Sequence, residues 1–237
     1  MKHKKDTSQS VSQREKIKDT FEIKPFQWTD KQKEFINLAK DKDTKIIFVK
    51  GVAGTSKTLL ATYVSLLLLS EKKISDIIYV RAAVESSEAS LGFLPGTADE
   101  KMHHYGLPLL DKLDELLTKN ITDKLIKEHR ITIFPVGFLR GLNWNAKSII
   151  VDEAQNLVQK EIITILTRLG KFSKCFVLAD PMQSDINGKS GGFEKISALF
   201  NDEEAKKQGI HYFEFNEEDI MRSELVKFLV KRFNFLK

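Results

Sequence analysis

The sequence predicts a three-layer α/β sandwich with a mainly parallel central sheet. Short apolar runs, rich in Ile, Val and Phe, alternate along the chain with longer segments of helical periodicity. The apolar runs are nearly continuous, which is typical of strands that are buried on both faces of a parallel sheet. Regular alternation of strands and helices builds a sheet that is covered by helices on both sides.

The predicted elements follow a polar N-terminal segment. The first helix begins after Thr29, an expected N-cap, and carries an apolar stripe of Phe35, Ile36 and Ala39. Strands are predicted at residues 45–49, 77–80, 130–134, 148–152, 175–179 and 211–215. Further helices are predicted at residues 57–70, 99–117, 123–128, 159–169, 193–200 and 219–233.

Length and charge limit the domain organisation. A chain of 237 residues with 41% hydrophobic content fits one core, so we predict a tail at residues 1–24 and one domain at residues 25–237. The tail carries three of the five net positive charges of the chain. Basicity alone therefore does not indicate nucleic-acid binding, and any such site in the domain must be local.

The cellular compartment is predicted from what the sequence lacks. Cys175 is the single cysteine, so no disulfide forms within the chain and a reducing compartment is expected. The longest apolar run is far shorter than the ~20 residues that a membrane helix needs, and the N-terminus has no apolar export signal. We expect a cytoplasmic protein without a membrane partner.

A phosphate-binding loop is the most informative motif. The stretch KGVAGTSKT at residues 50–58 follows the first strand and matches G-x-x-x-x-G-K-[ST], except that Ser56 replaces the second glycine. Backbone N–H groups of such a loop bind phosphate oxygens, the lysine reaches the terminal phosphates, and the threonine hydroxyl binds Mg²⁺. The predicted nucleotide-binding residues in this loop are Gly51, Val52, Ala53, Gly54, Thr55, Ser56, Lys57 and Thr58.

The effect of Ser56 depends on its backbone conformation. A left-handed backbone at this position would cost a serine roughly 1–2 kcal/mol, whereas a right-handed one at the start of the helix would cost almost nothing. We expect the right-handed case, because Lys57 must already be helical and a serine hydroxyl suits a helix start.

A second motif follows the fourth predicted strand, which ends in Asp152 and Glu153. Ligand sites gather at the carboxyl edge of a parallel sheet. We expect Asp152 to hold Mg²⁺ with Thr58, and Glu153 to act as a general base that polarises an attacking water molecule.

Two further groups are candidates for contacts with the nucleotide. Asp180 and Gln183 follow the fifth strand, which we expect between the strands of the two motifs, and Gln183 would sense the γ-phosphate. They could also be ordinary turn residues. Gln32 could give both of its amide groups to the adenine edge, although surface glutamines are common.

Taken together, the motifs resemble those of the PhoH-like ATPases, which are related to the core domain of superfamily-one helicases. The most specific match is YVRAAVESSEASLGFLPG at residues 79–96. Further matches are FLRG at 138–141, DEAQN at 152–156, LTRLG at 166–170, DPMQSD at 180–185 and DIMR at 219–222. The resemblance implies a RecA-like P-loop core that hydrolyses ATP with Mg²⁺, lacks a second motor domain and assembles into a ring, with a hexamer as one possibility.

The resemblance also implies partners and further site residues. Single-stranded RNA or DNA would contact Arg81, Phe93 and Arg140, while Phe93 could equally plug into the core. Arg222 resembles an arginine finger that a neighbouring subunit receives, although a reach within its own chain is possible. Alternatively, Arg222 forms an ion pair with Asp219 or Glu224 on its helix.

Ser56 and Ala82, which replaces the proline after Arg81, depart from the family pattern. We therefore predict an ATP hydrolase that is coupled to RNA or single-stranded DNA. The alternative is a nucleotide-binding assembly module with little turnover because of Ser56. A small-molecule phosphotransferase is a third hypothesis, which Glu153 disfavours because it suits water activation.

Overall fold

The structure, a computed structural model, describes residue 17 and residues 20–82, 98–136, 143–184 and 191–233. The strands are β1 (Ile46–Gly51), β2 (Asp76–Arg81), β3 (Ile131–Pro135), β4 (Lys147–Asp152), β5 (Lys174–Ala179) and β6 (Ile210–Phe215). The helices are α1 (Asp30–Lys40), α2 (Lys57–Ser70), α3 (Ala98–Leu116), α4 (Lys119–Lys127), α5 (Gln159–Leu166), α6 (Gly192–Ala198), α7 (Glu203–Lys207) and α8 (Glu224–Phe233).

All strands pair in parallel, in the order β3-β2-β4-β5-β1-β6. This order confirms the predicted parallel sheet, and β5 lies between β1 and β4 as expected. β5 is buried along its whole length, because both of its faces and both of its edges are covered. The carboxyl ends of β1, β4 and β5 therefore meet at the middle of one edge of the sheet.

Helices cover both faces of the sheet and divide the core into two layers. One layer joins α1, α2, α3 and α4 to the sheet, with Phe35, Leu60 and Leu113 among its buried residues. The other joins α5 and α6 to the opposite face, with Ile162 and Phe193 at its centre. This arrangement is the three-layer sandwich that the alternation of elements predicts.

The first helix has the predicted cap. The Thr29 hydroxyl accepts a hydrogen bond from the backbone N–H of Gln32, and the Gln32 side chain accepts one from the N–H of Thr29. This reciprocal pair is a capping box, which satisfies two N–H groups at the start of α1. The capping box fixes where α1 begins and explains why Gln32 is buried.

The C-terminal part of the predicted tail packs on the domain. Ile17 is buried in the core layer of α1 and α2, and Phe21 packs against the same layer. The backbone N–H of Lys24 donates to the carbonyl of Leu116 at 2.8 Å. Residues 1–16, 18 and 19 lie outside the described residues, so the boundary near residue 24 stays a prediction.

The structure differs from the predicted elements at α7 (Glu203–Lys207), which was not predicted, and at the C-terminus. A helix was expected from residue 219, but Glu217–Asp219 forms a separate 3₁₀ turn and α8 begins only at Glu224. The Asp219 carboxylate accepts the N–H of Asn216 at 2.7 Å and closes this turn, and Ile220 then enters the core. Arg222 therefore precedes α8 and does not lie on it.

Within the described residues, no helix is both long enough and apolar enough to cross a bilayer.

Candidate nucleotide-binding site

A cleft of about 440 Å³ opens at the carboxyl edge of the sheet, where β1, β4 and β5 end. Its size falls within the range of ~300–1,000 Å³ that is typical of small-molecule sites. Predicted site residues that line it are Ala53, Gly54, Ser56, Lys57, Thr58, Asp152, Glu153, Gln183 and Arg222. The structure thus brings both sequence motifs and the two later candidates to one place.

The phosphate-binding loop (residues 50–58) is curled by its own contacts. Gly54 has a φ of +86°, which favours glycine, and the Thr55 hydroxyl donates to the carbonyl of Val52 at 2.8 Å. The Lys57 ammonium donates to the carbonyls of Gly51 and Val52 at 2.7 and 3.0 Å. The Lys57 side chain is therefore folded back on its own loop. It would have to leave these two carbonyls to reach a bound phosphate.

Charge in the cleft is balanced around this lysine. Burial lowers the pKa of the Lys57 ammonium, and the carboxylates of Asp180, Asp152 and Glu153 oppose that shift. An anion that enters the cleft would add to the stabilisation of the charged lysine, because opposite charges at short range favour the ionised form. The cleft is thus suited to a negatively charged ligand with a bound cation.

The prediction of a right-handed backbone at Ser56 is wrong. Ser56 has φ 64° and ψ 21°, which is left-handed, and its side chain makes no capping hydrogen bond to α2. The loop must reverse direction between Gly54 and Lys57, and a left-handed residue immediately before the helix provides that turn. This conformation explains why the standard motif has glycine here, and it costs a serine roughly 1–2 kcal/mol.

We predict that Ser56→Gly stabilises the protein. Relief of about 1–2 kcal/mol of strain outweighs the ~0.4–1 kcal/mol that the greater freedom of glycine in the unfolded chain costs. A net gain of about 1 kcal/mol corresponds to a rise of roughly 2–4 °C in Tm for a chain of this size, measurable by thermal unfolding.

Ser184→Gly is the matched control, because Ser184 has a φ of −76° and the substitution relieves no strain. It is expected to leave Tm unchanged or lower it. An equal rise in Tm for both variants would contradict the assignment of strain to Ser56.

Asp152 is held by three donors. Its Oδ1 accepts the Thr58 hydroxyl at 3.1 Å and the backbone N–H of Glu153 at 3.1 Å, and its Oδ2 accepts the Tyr79 hydroxyl at 2.6 Å. The first contact places the hydroxyl of the loop beside the carboxylate of β4. Mg²⁺ prefers oxygen ligands of these two kinds, so the pair fits a magnesium site.

Glu153 lies immediately after β4 and also has a left-handed backbone, with a φ of 55°. Its Oε2 accepts the Gln155 amide at 2.6 Å, and its Oε1 lies 3.9 Å from the Arg81 guanidinium. The Gln155 oxygen in turn accepts the backbone N–H of Asp180 at 3.0 Å. Gln155 therefore links the proposed general base to the end of β5, a role that the sequence motif alone did not indicate.

Arg222 lies against the phosphate-binding loop of its own chain. The backbone N–H of Met221 donates to the carbonyl of Gly54 at 2.9 Å, and Ile220 is buried beside the loop. A Cβ built on Gly54 would lie 2.8 Å from the Arg222 Cγ, so the absence of a side chain at Gly54 makes room for the arginine. Among the ion pairs of the described residues, none joins Arg222 to Asp219 or Glu224.

The other candidates have separate locations. Gln32 caps α1 through its carboxamide oxygen and is not among the residues that line the cleft. Phe26, which the sequence analysis missed, does line it, and its ring stacks on Trp28 at a centroid distance of 4.7 Å. A half-exposed aromatic face at the rim of the cleft can stack on a base. Phe93 and Arg140 lie outside the described residues.

Comparison with known proteins identifies relatives over most of the chain. A PhoH-like protein of Mycobacterium bovis is 37% identical over 201 residues, which are 84% of this chain and 55% of that protein. A PhoH-like protein of Bacillus subtilis is 34% identical over 204 residues, which are 86% of this chain and 62% of that protein. The chain thus spans between 55% and 62% of the length of these relatives.

A solved structure supports the fold independently. The large terminase from the thermophilic bacteriophage D6E aligns with a TM-score of 0.50 at 12% sequence identity and covers 87% of this chain and 50% of that chain. At this identity the likeness concerns the fold alone, and it confirms the RecA-like architecture. The profile of the family described as "PhoH-like protein" matches residues 23–234. The chain therefore belongs to the PhoH-like protein family.

Proposed function

We propose that this P-loop protein hydrolyses ATP with Mg²⁺ and couples hydrolysis to the binding or remodelling of single-stranded RNA or DNA. The observation that carries the proposal is the contact between the Thr58 hydroxyl and the Asp152 carboxylate, with Glu153 next in the chain and Lys57 in the same cleft. A loop that only binds phosphate does not need an adjacent carboxylate that faces the cleft.

In the proposed reaction, each side chain has one task. Lys57 exchanges its two carbonyl contacts for the terminal phosphates and neutralises part of their charge. Glu153 accepts the proton of a water molecule that attacks the γ-phosphate, and Gln155 orients its carboxylate. Gln183, at the rim of the cleft, would sense the γ-phosphate.

Mg²⁺ would be held by Thr58 and Asp152, and when bound it supplies positive charge to the phosphate oxygens. Arg222, which lies against Gly54 and lines the same cleft, would add a further positive charge. The adenine base would lie near Phe26, whose exposed ring face is backed by Trp28. Gln32, whose carboxamide oxygen caps α1, remains a candidate for contact with the adenine edge through its amide nitrogen.

The nucleic-acid part of the proposal is supported by the position of Arg81. This residue ends β2, beside the end of β4, and its guanidinium lies 3.9 Å from Glu153. A phosphate that binds Arg81 would therefore act on the immediate surroundings of the general base. Phe93 and Arg140 remain candidate contacts from the family resemblance.

Assembly into a ring of identical subunits, with a hexamer as one possibility, is supported by α8. Leu225, Phe228 and Phe233 lie on this helix and are more than half exposed. Apolar side chains repeated along one exposed helix are typical of a surface that another protein covers. We further propose that the protein acts in the cytoplasm.

The proposal predicts phosphate release from ATP that requires Mg²⁺ and that rises when single-stranded RNA or DNA is added. A coupled phosphate assay with poly(U), poly(dT) or no polymer measures both effects on the full chain. Double-stranded DNA of the same nucleotide concentration is the control, because it offers similar charge without exposed bases.

Three outcomes would contradict the proposal in different ways. Nucleotide binding without turnover would favour the assembly module, and turnover that appears only in Ser56→Gly would assign the loss to the strained loop. Transfer of phosphate to a small molecule in place of water would favour a phosphotransferase.

A further inference from the structure

A buried tyrosine outside the phosphate-binding loop contacts the magnesium-site candidate Asp152. Tyr79 lies in β2, its side chain is fully buried, and its hydroxyl is 2.6 Å from the Asp152 Oδ2. The cleft-lining residues do not include Tyr79. Its hydroxyl therefore acts on the cleft only through the carboxylate.

The sheet register explains how the contact arises. β2 and β4 are parallel neighbours in which Tyr79 pairs with Ile150 and Arg81 pairs with Asp152. Tyr79 and Ile150 are both buried in the core layer of α1 and α2, so the side chain of Asp152, two residues after Ile150, lies on the same face. The tyrosine ring extends along this face, and its hydroxyl reaches the end of the neighbouring strand.

The hydroxyl completes the set of donors around Asp152. Thr58 and the Glu153 N–H both bind Oδ1, and the Tyr79 hydroxyl is the donor to Oδ2 among the described contacts. An aspartate carboxylate turns about its Cβ–Cγ bond, and donors on a single oxygen restrain this rotation less than donors on both oxygens do. A donor on each oxygen fixes the plane of the group, as outer partners of metal ligands commonly do.

The same hydroxyl has little value for packing alone. A phenylalanine would fill nearly the same volume in this layer, and a buried hydroxyl is costly unless it has a partner. The partner here is the Asp152 carboxylate at the cleft. The contact therefore orients Asp152 and also gives the buried tyrosine hydroxyl a hydrogen-bond acceptor.

We propose that Tyr79 is a positioning residue that orients Asp152 for Mg²⁺ in the nucleotide complex. The proposal rests on the proposed function, because it assumes that Asp152 and Thr58 hold the metal ion. Tyr79 adds a residue of β2 to a metal site formed by Thr58 and Asp152. The proposal assigns to Tyr79 an effect on the nucleotide affinity that depends on the metal ion.

The test measures binding of a fluorescent ADP analogue to the full chain in Mg²⁺ and in EDTA. The affinity gained on addition of Mg²⁺ is expected to be about 10–100-fold smaller in Tyr79→Phe than in wild type. Affinity in EDTA is expected to be the same in both. The matched control is Tyr212→Phe, a half-buried tyrosine in β6, which should keep the full gain.

A double-mutant cycle with Asp152→Asn separates positioning from packing. Once Asp152 is replaced, Tyr79→Phe should have no further effect on nucleotide affinity in Mg²⁺ or in EDTA. A packing defect would instead lower the affinity in that background as well. Equal losses of affinity in Mg²⁺ and in EDTA would overturn the proposal, as would an unchanged gain in Tyr79→Phe.

The result for wild type distinguishes this inference from the proposed function. If wild type binds the analogue more tightly in Mg²⁺ and Tyr79→Phe shows the same gain in affinity, only the role of Tyr79 is overturned. A wild-type protein without any Mg²⁺-dependent affinity overturns both.

Discussion

Glu153→Gln is expected to lower the rate of ATP hydrolysis by about 10²–10⁴-fold, the usual contribution of a positioned general base. The amide has nearly the same shape as the carboxylate but cannot accept a proton from water at neutral pH. Nucleotide affinity should change little, because Lys57, Thr58 and the loop backbone carry binding. Steady-state phosphate release and equilibrium binding of a fluorescent nucleotide measure the two effects separately.

Glu204→Gln provides the control, because it makes the same chemical change on the exposed surface of α7. It should retain wild-type turnover. If Glu153→Gln kept more than about a tenth of the wild-type rate, the assignment of the general base would be wrong. Glu153→Gln also changes the acceptor of the Gln155 amide. Unchanged nucleotide affinity would show that the site itself is still intact in the variant.

Arg222→Ala is expected to lower turnover by about 10³–10⁵-fold if the guanidinium stabilises charge on the transferred phosphate. Because Arg222 lies against the Gly54 of its own chain, we expect it to act within one subunit. Lys127→Ala, which removes a positive charge from the exposed surface of α4, is the control and should retain activity.

A mixing experiment tests the assignment to one subunit. Glu153→Gln supplies an intact Arg222, and Arg222→Ala supplies an intact Glu153. If the arginine acts within its own chain, a mixture of the two variants stays inactive at every ratio. Recovery of activity on mixing would show that a neighbouring subunit receives the arginine.

Much of the fold follows from the sequence. The central strands are nearly continuous apolar runs that the sheet buries on both faces. The predicted positions of all six strands agree with the structure to within one or two residues. The loop at residues 50–58 and the pair Asp152–Glu153 were also identifiable, because each motif has a fixed spacing and follows a strand. Their proximity then follows from the parallel sheet.

The remaining features depend on contacts between distant parts of the chain. Periodicity extends a helix through residues 219–223, but burial of Ile220 beside Gly54 overrides it. The contact between Tyr79 and Asp152 requires the register of β2 against β4, which no local pattern reveals. The left-handed Ser56 follows from the turn that the loop must make, against the preference of serine itself.

The backbone bond from Met221 to Gly54 makes the reach of Arg222 depend on chain length. Every residue except proline carries a main-chain N–H, so any other substitution at position 221 leaves this donor in place. An inserted or deleted residue between the end of β6 and Met221 would move the arginine by one position and turn it away from the loop. The position of Arg222 therefore depends more on the length of this segment than on its composition. We expect the segment to tolerate substitutions better than insertions or deletions.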